Sequence, residues 1–455
     1  MERVDVAIVG GGPAGSSAAK AAAQRGADAV VLEKGVPRAD RERLGPDSTD
    51  AAGMLDYWID LMDMEPHEFP EEAILSELDG AQFIGPTEQF TLQETGIPAK
   101  YDGFGFCFHR ARFDDWLRDE AEAAGAEYRV KAAVKDVTTT LAGGPKHTLT
   151  LRDGAEIEAE YLILADGPQR QVTLETVDQF MPAGRSVADY LGPKKANHIA
   201  YQEHREFPTE LVEDNLIKFW WGVIPGHTAY PWVFPNDGNV QRVGLTMPIG
   251  MEMGNIEYPH EYKLLRHDDR QLPPGRVYLR RLLEMLYGDE YDIEDDFPLV
   301  EDRGKSGGTE AYPISSTRPI DSPVAANIAV TGGAMGGTSH FHEGGDHVAV
   351  RTGKLAGAMA ASGTLRSYNT AWKRALGDEV LRSIAMADYV TNFTPRDWDH
   401  TFRTVDRLLD RGGYSTTQAI SSGISGAKLL AKYRKIKLGY RNHSYVQIRE
   451  DEYTA

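Results

Sequence analysis

Three glycines, Gly10, Gly12 and Gly15, fall between an apolar β-branched run at residues 4–9 and an alanine-rich stretch at 16–25. That context gives the spacing its chemistry. The first glycine allows a tight turn from strand to helix. The second lets the backbone approach a pyrophosphate, and the third lets helix and strand pack closely. Pro13 and Ala14 belong to the same loop, and the free N–H groups of the helix that follows then face the phosphates. A second short strand, residues 29–32, closes on Glu33 and Lys34, where a carboxylate can accept from ribose hydroxyls. The pattern reads as a dinucleotide site and does not by itself separate FAD from NAD.

A second group of chemistry-bearing residues lies late in the chain. His340-Phe341-His342-Glu343 sits in a loop between Gly337 and the pair Gly344-Gly345, with Asp346 and His347 just beyond. Titratable groups packed into apolar surroundings acquire shifted pKa values, and an acid still protonated near neutral pH can deliver a proton. His342 or Glu343, next to the glycine pair, is the expected donor, with His340 behind. The same residues invite a metal, but nothing nearby completes a familiar ligand set, and none is assigned. Trp220, Trp221, Tyr230, Trp232 and Phe234 read either as a packed core strand or as the walls of an apolar pocket. In a pocket their faces would stabilise developing positive charge.

These residues need positioning elements. Residues 4–9 and 29–32 read as buried strands flanking a helix at 16–25. Helices are expected around residues 51–62, 113–124 and 276–302, and a packed helix of small residues at 347–361. Strands are expected at 82–84, 90–92, 134–137, 147–151, 161–165 and 328–331, with residues 197–250 strand-rich. The last ~75 residues read as helical.

Composition bounds the class. The chain has 455 residues, 41% hydrophobic, with one cysteine and a net charge of −20. Such a charge argues against general nucleic-acid binding. The lone Cys107 rules out internal disulfides and a cysteine-held iron–sulfur cluster. No apolar run approaches the ~20 residues of a spanning helix. A soluble cytoplasmic protein is expected, or one peripheral on the inner face of the membrane. The basic cluster Lys428, Lys432, Arg434, Lys435, Lys437 and Arg441 is the candidate contact. The acidity reads either as an ordinary solvated surface or as a halophile's adaptation.

Three further segments carry a resemblance. Arg110-Ala-Arg-Phe-Asp114 opens a helix; Ala165-Asp166-Gly167-Pro168-Gln169-Arg170 ends a strand; Gly332-Gly333-Ala334-Met335-Gly336-Gly337 ends another. In this order they resemble the p-hydroxybenzoate hydroxylase-like flavoproteins. The stretch Tyr230-Pro-Trp232-Val-Phe234-Pro, followed by Val243-Gly244-Leu245, is similar to the Tyr-x-Trp-x-Phe-Pro signature of geranylgeranyl reductases. The resemblance implies FAD, with Arg110 and Asp166 serving its ribose–pyrophosphate region. It implies that Gly333 and Gly336 lie along the ribityl chain and flavin, and Gly344 and Gly345 at the pyrimidine edge. The family's usual Gly-Asp is Gly332-Gly333 here, and its flavin-loop Cys-Gly corresponds to Arg43-Leu44-Gly45.

The resemblance implies an α/β chain: a doubly wound Rossmann-like FAD lobe (residues 1–75, 104–195 and 305–375), an interleaved antiparallel β-sheet substrate lobe (76–103 and 196–304) and a helical C-terminal part (376–455). The implied activity is saturation of isoprenoid double bonds by hydride transfer plus protonation. Its substrate would be a prenyl lipid, with NADPH or a ferredoxin-like carrier as external reductant. Together with the acidity, the family suggests a haloarchaeal source. A flavin monooxygenase or halogenase of the same fold is the alternative, and a non-catalytic flavin-binding protein comes last.

Overall fold

The computed structural model describes residues 1–36, 52–191, 196–212, 215–304, 306–409 and 424–455. Arg43-Leu44-Gly45 and the side chain of Lys428 lie outside the described residues. Residues 4–9 are apolar on both strand faces, so they need cover on both sides. They form the strand Glu2–Val9 at the centre of a seven-stranded sheet. Ala29–Leu32 and Glu156–Leu164 flank it in parallel, with Val6 opposite both Ala29 and Tyr161. Glu127–Arg129 and Ile328–Val330 extend the parallel part, and the antiparallel pair Lys146–Leu151 and Val134–Thr140 closes one side.

Two helices cover this sheet where the glycine loop ends, Pro13–Ala23 and Asp346–Ala361. Their backbones touch. A Cβ at Gly353 would run into the carbonyl of Ala14, and one at Gly357 into that of Ala18. Small residues four apart on the later helix thus bring its N-terminus beside the glycine loop.

The second seven-stranded sheet runs, in spatial order, Thr309–Ile314, His198–Glu206, Val240–Pro248, Tyr230–Pro235, Leu216–Trp220, Gly80–Ile84 and Gln89–Leu92. Only Leu216–Trp220 and Gly80–Ile84 pair in parallel. The helix Gly275–Tyr287 covers one face, burying Tyr278, Leu279, Leu282 and Leu283 with Phe297 and Trp220. The other face is aromatic and meets Val390, Trp398 and Phe402 from the helices Tyr368–Val390 and Pro395–Leu409. A small sheet, Ala52–Leu55 and Ile74–Leu78 around Gly105–Phe108, joins the lobes. Cys107 is buried there and its thiol is pushed up to about 12 by burial, so it packs rather than reacts.

Four features differ from expectation. Ala52–Leu55 is a strand because it pairs with Gly105–Phe108, and only Asp56–Leu61 of that stretch is helical. The helix expected over 276–302 stops at Tyr287, and turns follow Gly288. Thr309–Ile314 is the edge strand of the second sheet, although it falls in the 305–375 segment assigned to the cofactor lobe. Tyr368–Val390 runs unbroken across the expected boundary at 375/376. After the last helix, Ile424–Gly439, the tail returns to the first lobe and buries Tyr445, Val446 and Ile448 in its core.

Candidate active site

The glycine loop is shaped by backbone contacts. Gly10 has φ +97°, and a Cβ there would clash with the carbonyl of Ala165. Gly15 lies against the carbonyl of Gly10. Gly12 differs: a Cβ on it would meet nothing within 4 Å, because the space before it is an open cleft. Gly11 N–H donates to Glu33 Oε2 (2.8 Å), Gly35 N–H to Glu33 Oε1 (2.6 Å), and the Tyr128 hydroxyl to Gly11 O (2.5 Å). Glu33 and Tyr128 both line the cleft; Lys34 is exposed and does not.

The cleft is lined by Gly12, Pro13, Ala14 and Glu33, by Arg110, by Gly333, Thr338 and Gly345, and by Tyr312 and Glu343. Arg110 is held by Asp114 (2.6 Å) and by Asp346 (2.9 Å) on the first turn of the later helix. Two helix N-termini, after Gly12 and after Gly345, therefore open on one cleft without a capping side chain. That combination suits a pyrophosphate at one end and an anionic ring edge at the other. The elongated shape and the empty space before Gly12 fit FAD.

Two residues of the Asp-Gly-Pro-x-Arg stretch act differently from expectation. Asp166 does not line the cleft. It accepts from the Val172 and Thr173 N–H groups (2.7 and 3.1 Å) and from the Thr173 hydroxyl, so it caps the helix Gln171–Asp178. Burial raises its pKa. Arg170, assigned no role from sequence, is fully buried. Its guanidinium donates to Ala334 O, Gly333 O, Pro168 O and Ser315 Oγ at 2.6–3.0 Å. It clamps the two glycine turns together, and burial lowers its pKa to about 10. Gly336 and Gly344 shape their loops without lining the cleft; Gly336 has φ +87° and packs on the carbonyls of Thr317 and Arg318.

The three titratable residues of the late loop part ways. Glu343 adopts φ +60°, rare for a side-chain-bearing residue, and lines the cleft with its side chain only 3% exposed. The Thr246 hydroxyl donates to Oε2, while Oε1 is buried without a partner, 3.6 Å from His198 Nδ1. Burial pushes its pKa up to about 8. His342 turns the other way, into the core, and stacks on Trp58 (4.9 Å between ring centres), as does His347 (4.4 Å). Its Nδ1 accepts from Gly344 N–H. Burial lowers the pKa of His342 and of His340 to about 4, so both are neutral near pH 7. Neither lines the cleft. Of the three residues expected to supply a proton, Glu343 is the one that lines the cleft.

The aromatic signature forms a packed wall. Tyr230, Trp232 and Phe234 alternate onto one face, and the Tyr230 hydroxyl donates to His342 O (2.9 Å). Trp232 pairs across the ladder with Gly244 and lies flat on it; a Cβ there would enter the indole. The Val-Gly-Leu that follows the signature therefore exists to seat this ring. Trp221 stacks on Phe341 (5.0 Å, 8° between planes) and packs against Trp398. Trp220 faces the opposite way, into the core under Gly275–Tyr287, and does not belong to the wall. Period-two alternation of neighbouring strand residues would have separated the two tryptophans. The wall shares its cluster with Tyr312 and Ile314, which line the cleft.

The sheet order, glycine loop and cleft define an FAD-dependent oxidoreductase, and residues 3–192 match the FAD binding domain family. The chain is 26% identical over 417 residues to digeranylgeranylglycerophospholipid reductase 2 of Methanococcoides burtonii, covering 87% of this chain and 86% of that one. A geranylgeranyl bacteriochlorophyll reductase-like structure from Thermoplasma acidophilum superposes with a TM-score of 0.66 at 20% identity, over 97% of this chain and 100% of that one. A flavin-dependent brominase shares the fold at a TM-score of 0.58 and 16% identity, over 96% and 99%. Over most of its length the chain is thus similar to proteins named as geranylgeranyl reductases.

Proposed function

We propose that this protein saturates the double bonds of geranylgeranyl chains on a glycerophospholipid, with Glu343 as the proton donor. Bound FAD, once reduced, supplies the hydride. The observation that carries the reading is a carboxyl group that keeps its proton near neutral pH in the lining of the FAD cleft, beside an aromatic wall. An unactivated alkene accepts hydride only as a proton arrives. With Thr246 donating to Oε2, the acid proton would reside on Oε1, which is buried beside His198 where Glu343 lines the cleft. Tyr230 and Trp232 lie in that wall and favour transient positive charge. Gly10, Gly12, Pro13, Ala14, Gly15, Glu33 and Arg110 would hold the adenosine and pyrophosphate portion. Gly333, Gly345 and the helix starting at Asp346 would hold the flavin end.

A groove between Tyr368–Val390 and the C-terminal helix is lined by Lys373, Arg374, Arg434, Lys437 and Arg441, with Leu438 half exposed. On a chain of net charge −20 it is the surface suited to an anionic bilayer. No helix among the described residues is long and apolar enough to cross a membrane, so the contact would be peripheral. The acidic composition fits a salt-rich cytoplasm, and the external reductant would be NADPH or a ferredoxin-like carrier.

The test is anaerobic. The holoenzyme is reduced, a geranylgeranyl phospholipid is added, and flavin reoxidation is followed with lipid mass. Reoxidation with a gain of two hydrogens per bond is expected. Reoxidation only on admitting oxygen, with a hydroxylated product, would overturn the reading in favour of a monooxygenase.

A further inference from the structure

Each reduction that draws a proton from Glu343 leaves a buried carboxylate that must be reprotonated before the next bond. The cleft is a poor route, since FAD and substrate fill it in the working enzyme. The structure offers another. His198 begins the strand His198–Glu206, opposite Pro248 and Ile314, with its side chain 10% exposed against 3% for Glu343. Its Nδ1 and Glu343 Oε1 face each other at 3.6 Å, and both are buried without a hydrogen-bond partner. Orphaned buried polar atoms are uncommon, and a facing pair is rarer. Closing to about 3 Å turns the pair into a hydrogen bond. On the far side of the ring, Nε2 lies 3.3 Å from the Thr228 hydroxyl. Beyond stands His227, whose charge environment includes the exposed Asp388.

We infer that His198, itself partly exposed, returns the proton to Glu343 after each turnover, by a route that bypasses the FAD cleft. The inference rests on the proposed role of Glu343. In the step, the His198 Nδ1–H bond breaks and the Glu343 Oε1–H bond forms, while a proton from water reaches Nε2 and the hydroxide left behind is neutralised by the solvent buffer. The starting tautomer is restored when the ring swings out to solvent, loses the Nε2 proton to water and gains one at Nδ1. No imidazolium accumulates, which agrees with a ring held neutral: burial, then the nearby His227, lowers its pKa to about 4. The groups facing this pair are Thr246 and Tyr230 on the sheet, His340 on the late loop, and Thr228 and His227 on the preceding turn.

The test follows the Glu343 proton directly. In the oxidised holoenzyme without lipid, infrared spectroscopy should show a protonated-carboxyl band that Glu343→Gln removes. After transfer to D2O this band should shift within mixing time in wild type and at least tenfold more slowly in His198→Ala, with added imidazole restoring the rate. With lipid, the variant's steady-state rate should fall about tenfold more than its first-turnover rate. His198→Asn, which keeps polarity but cannot relay, should behave as the alanine variant. Wild-type exchange in both variants overturns the relay, as does slow exchange that imidazole fails to rescue. Loss of FAD from both marks His198 as structural and also overturns it. A Glu343→Gln enzyme that still reduces lipid at the wild-type rate instead refutes the reading beneath it.

Discussion

Replacing Glu343 with glutamine should make the protein slower and more stable at once. In the folded chain the carboxyl titrates at about 8 rather than its ordinary 4.5, because it is buried and one oxygen has no partner. In the unfolded chain the ordinary value applies. Above pH 4.5 the unfolded state therefore releases a proton that the folded state keeps, and stability falls as pH rises, levelling off above about pH 8. At about 1.4 kcal/mol per pH unit the loss reaches about 5 kcal/mol in full, about 3 kcal/mol at pH 7 and under ~1 kcal/mol at pH 5. Glutamine keeps an acceptor for Thr246 but cannot ionise, so the variant should gain over wild type increasingly with pH. The same change removes the acid, and a lost general acid lowers rates by about 10²–10⁴-fold. Wild-type reduction should decline above about pH 8, tenfold per unit. The assay is single turnover with prereduced holoenzyme from pH 6 to 9.5, read by lipid mass, beside thermal unfolding over the same range. A variant with wild-type rate and pH profile refutes the acid assignment. A stability difference equal at pH 5 and pH 9 refutes the buried proton.

Gly12→Val should purify folded but without the yellow flavin spectrum, since its side chain would occupy only the cleft; full FAD content would contradict this placement. Arg170→Ala removes four hydrogen bonds, three of them to the two glycine turns, and unsatisfied buried groups cost about 1–3 kcal/mol each. Calorimetry should show a lower Tm, and fluorescence a weaker FAD Kd; an unchanged Kd would mean the clamp is not needed for the site. Trp232→Ala should retain FAD and lose most lipid reduction, at a stability cost of about 3–5 kcal/mol; retained activity would show that the wall does not serve the alkene. Charge reversal at Arg374 and Arg441 should weaken flotation with anionic vesicles and leave neutral vesicles unaffected, most clearly at low salt. Equal flotation with both would remove the groove as the membrane contact.

The FAD lobe was legible from residue spacing. Strand Glu2–Val9, the glycine loop, Glu33 and the helix after Gly345 are written within runs of a few residues, where side-chain period and glycine geometry act. The aromatic signature was legible as a strand, but its partner Gly244 acquires meaning only when the ladder sets it beneath Trp232. Asp166 and Arg170 stand in a recognisable turn, yet that neither lines the cleft follows from the helix that Asp166 caps and from the glycine turn that Arg170 reaches. The proposed proton donor was the least legible. His340, His342 and Glu343 are near neighbours with similar chemistry, and composition cannot rank them. Tertiary structure decides it: Trp58, from another lobe element, stacks His342 into the core, while Thr246 from the second sheet receives Glu343 in a left-handed backbone turn. Glycine spacing is a property of one short segment. Burial is a property of whatever distant segments close around a group, and it is burial that keeps the proton on Glu343.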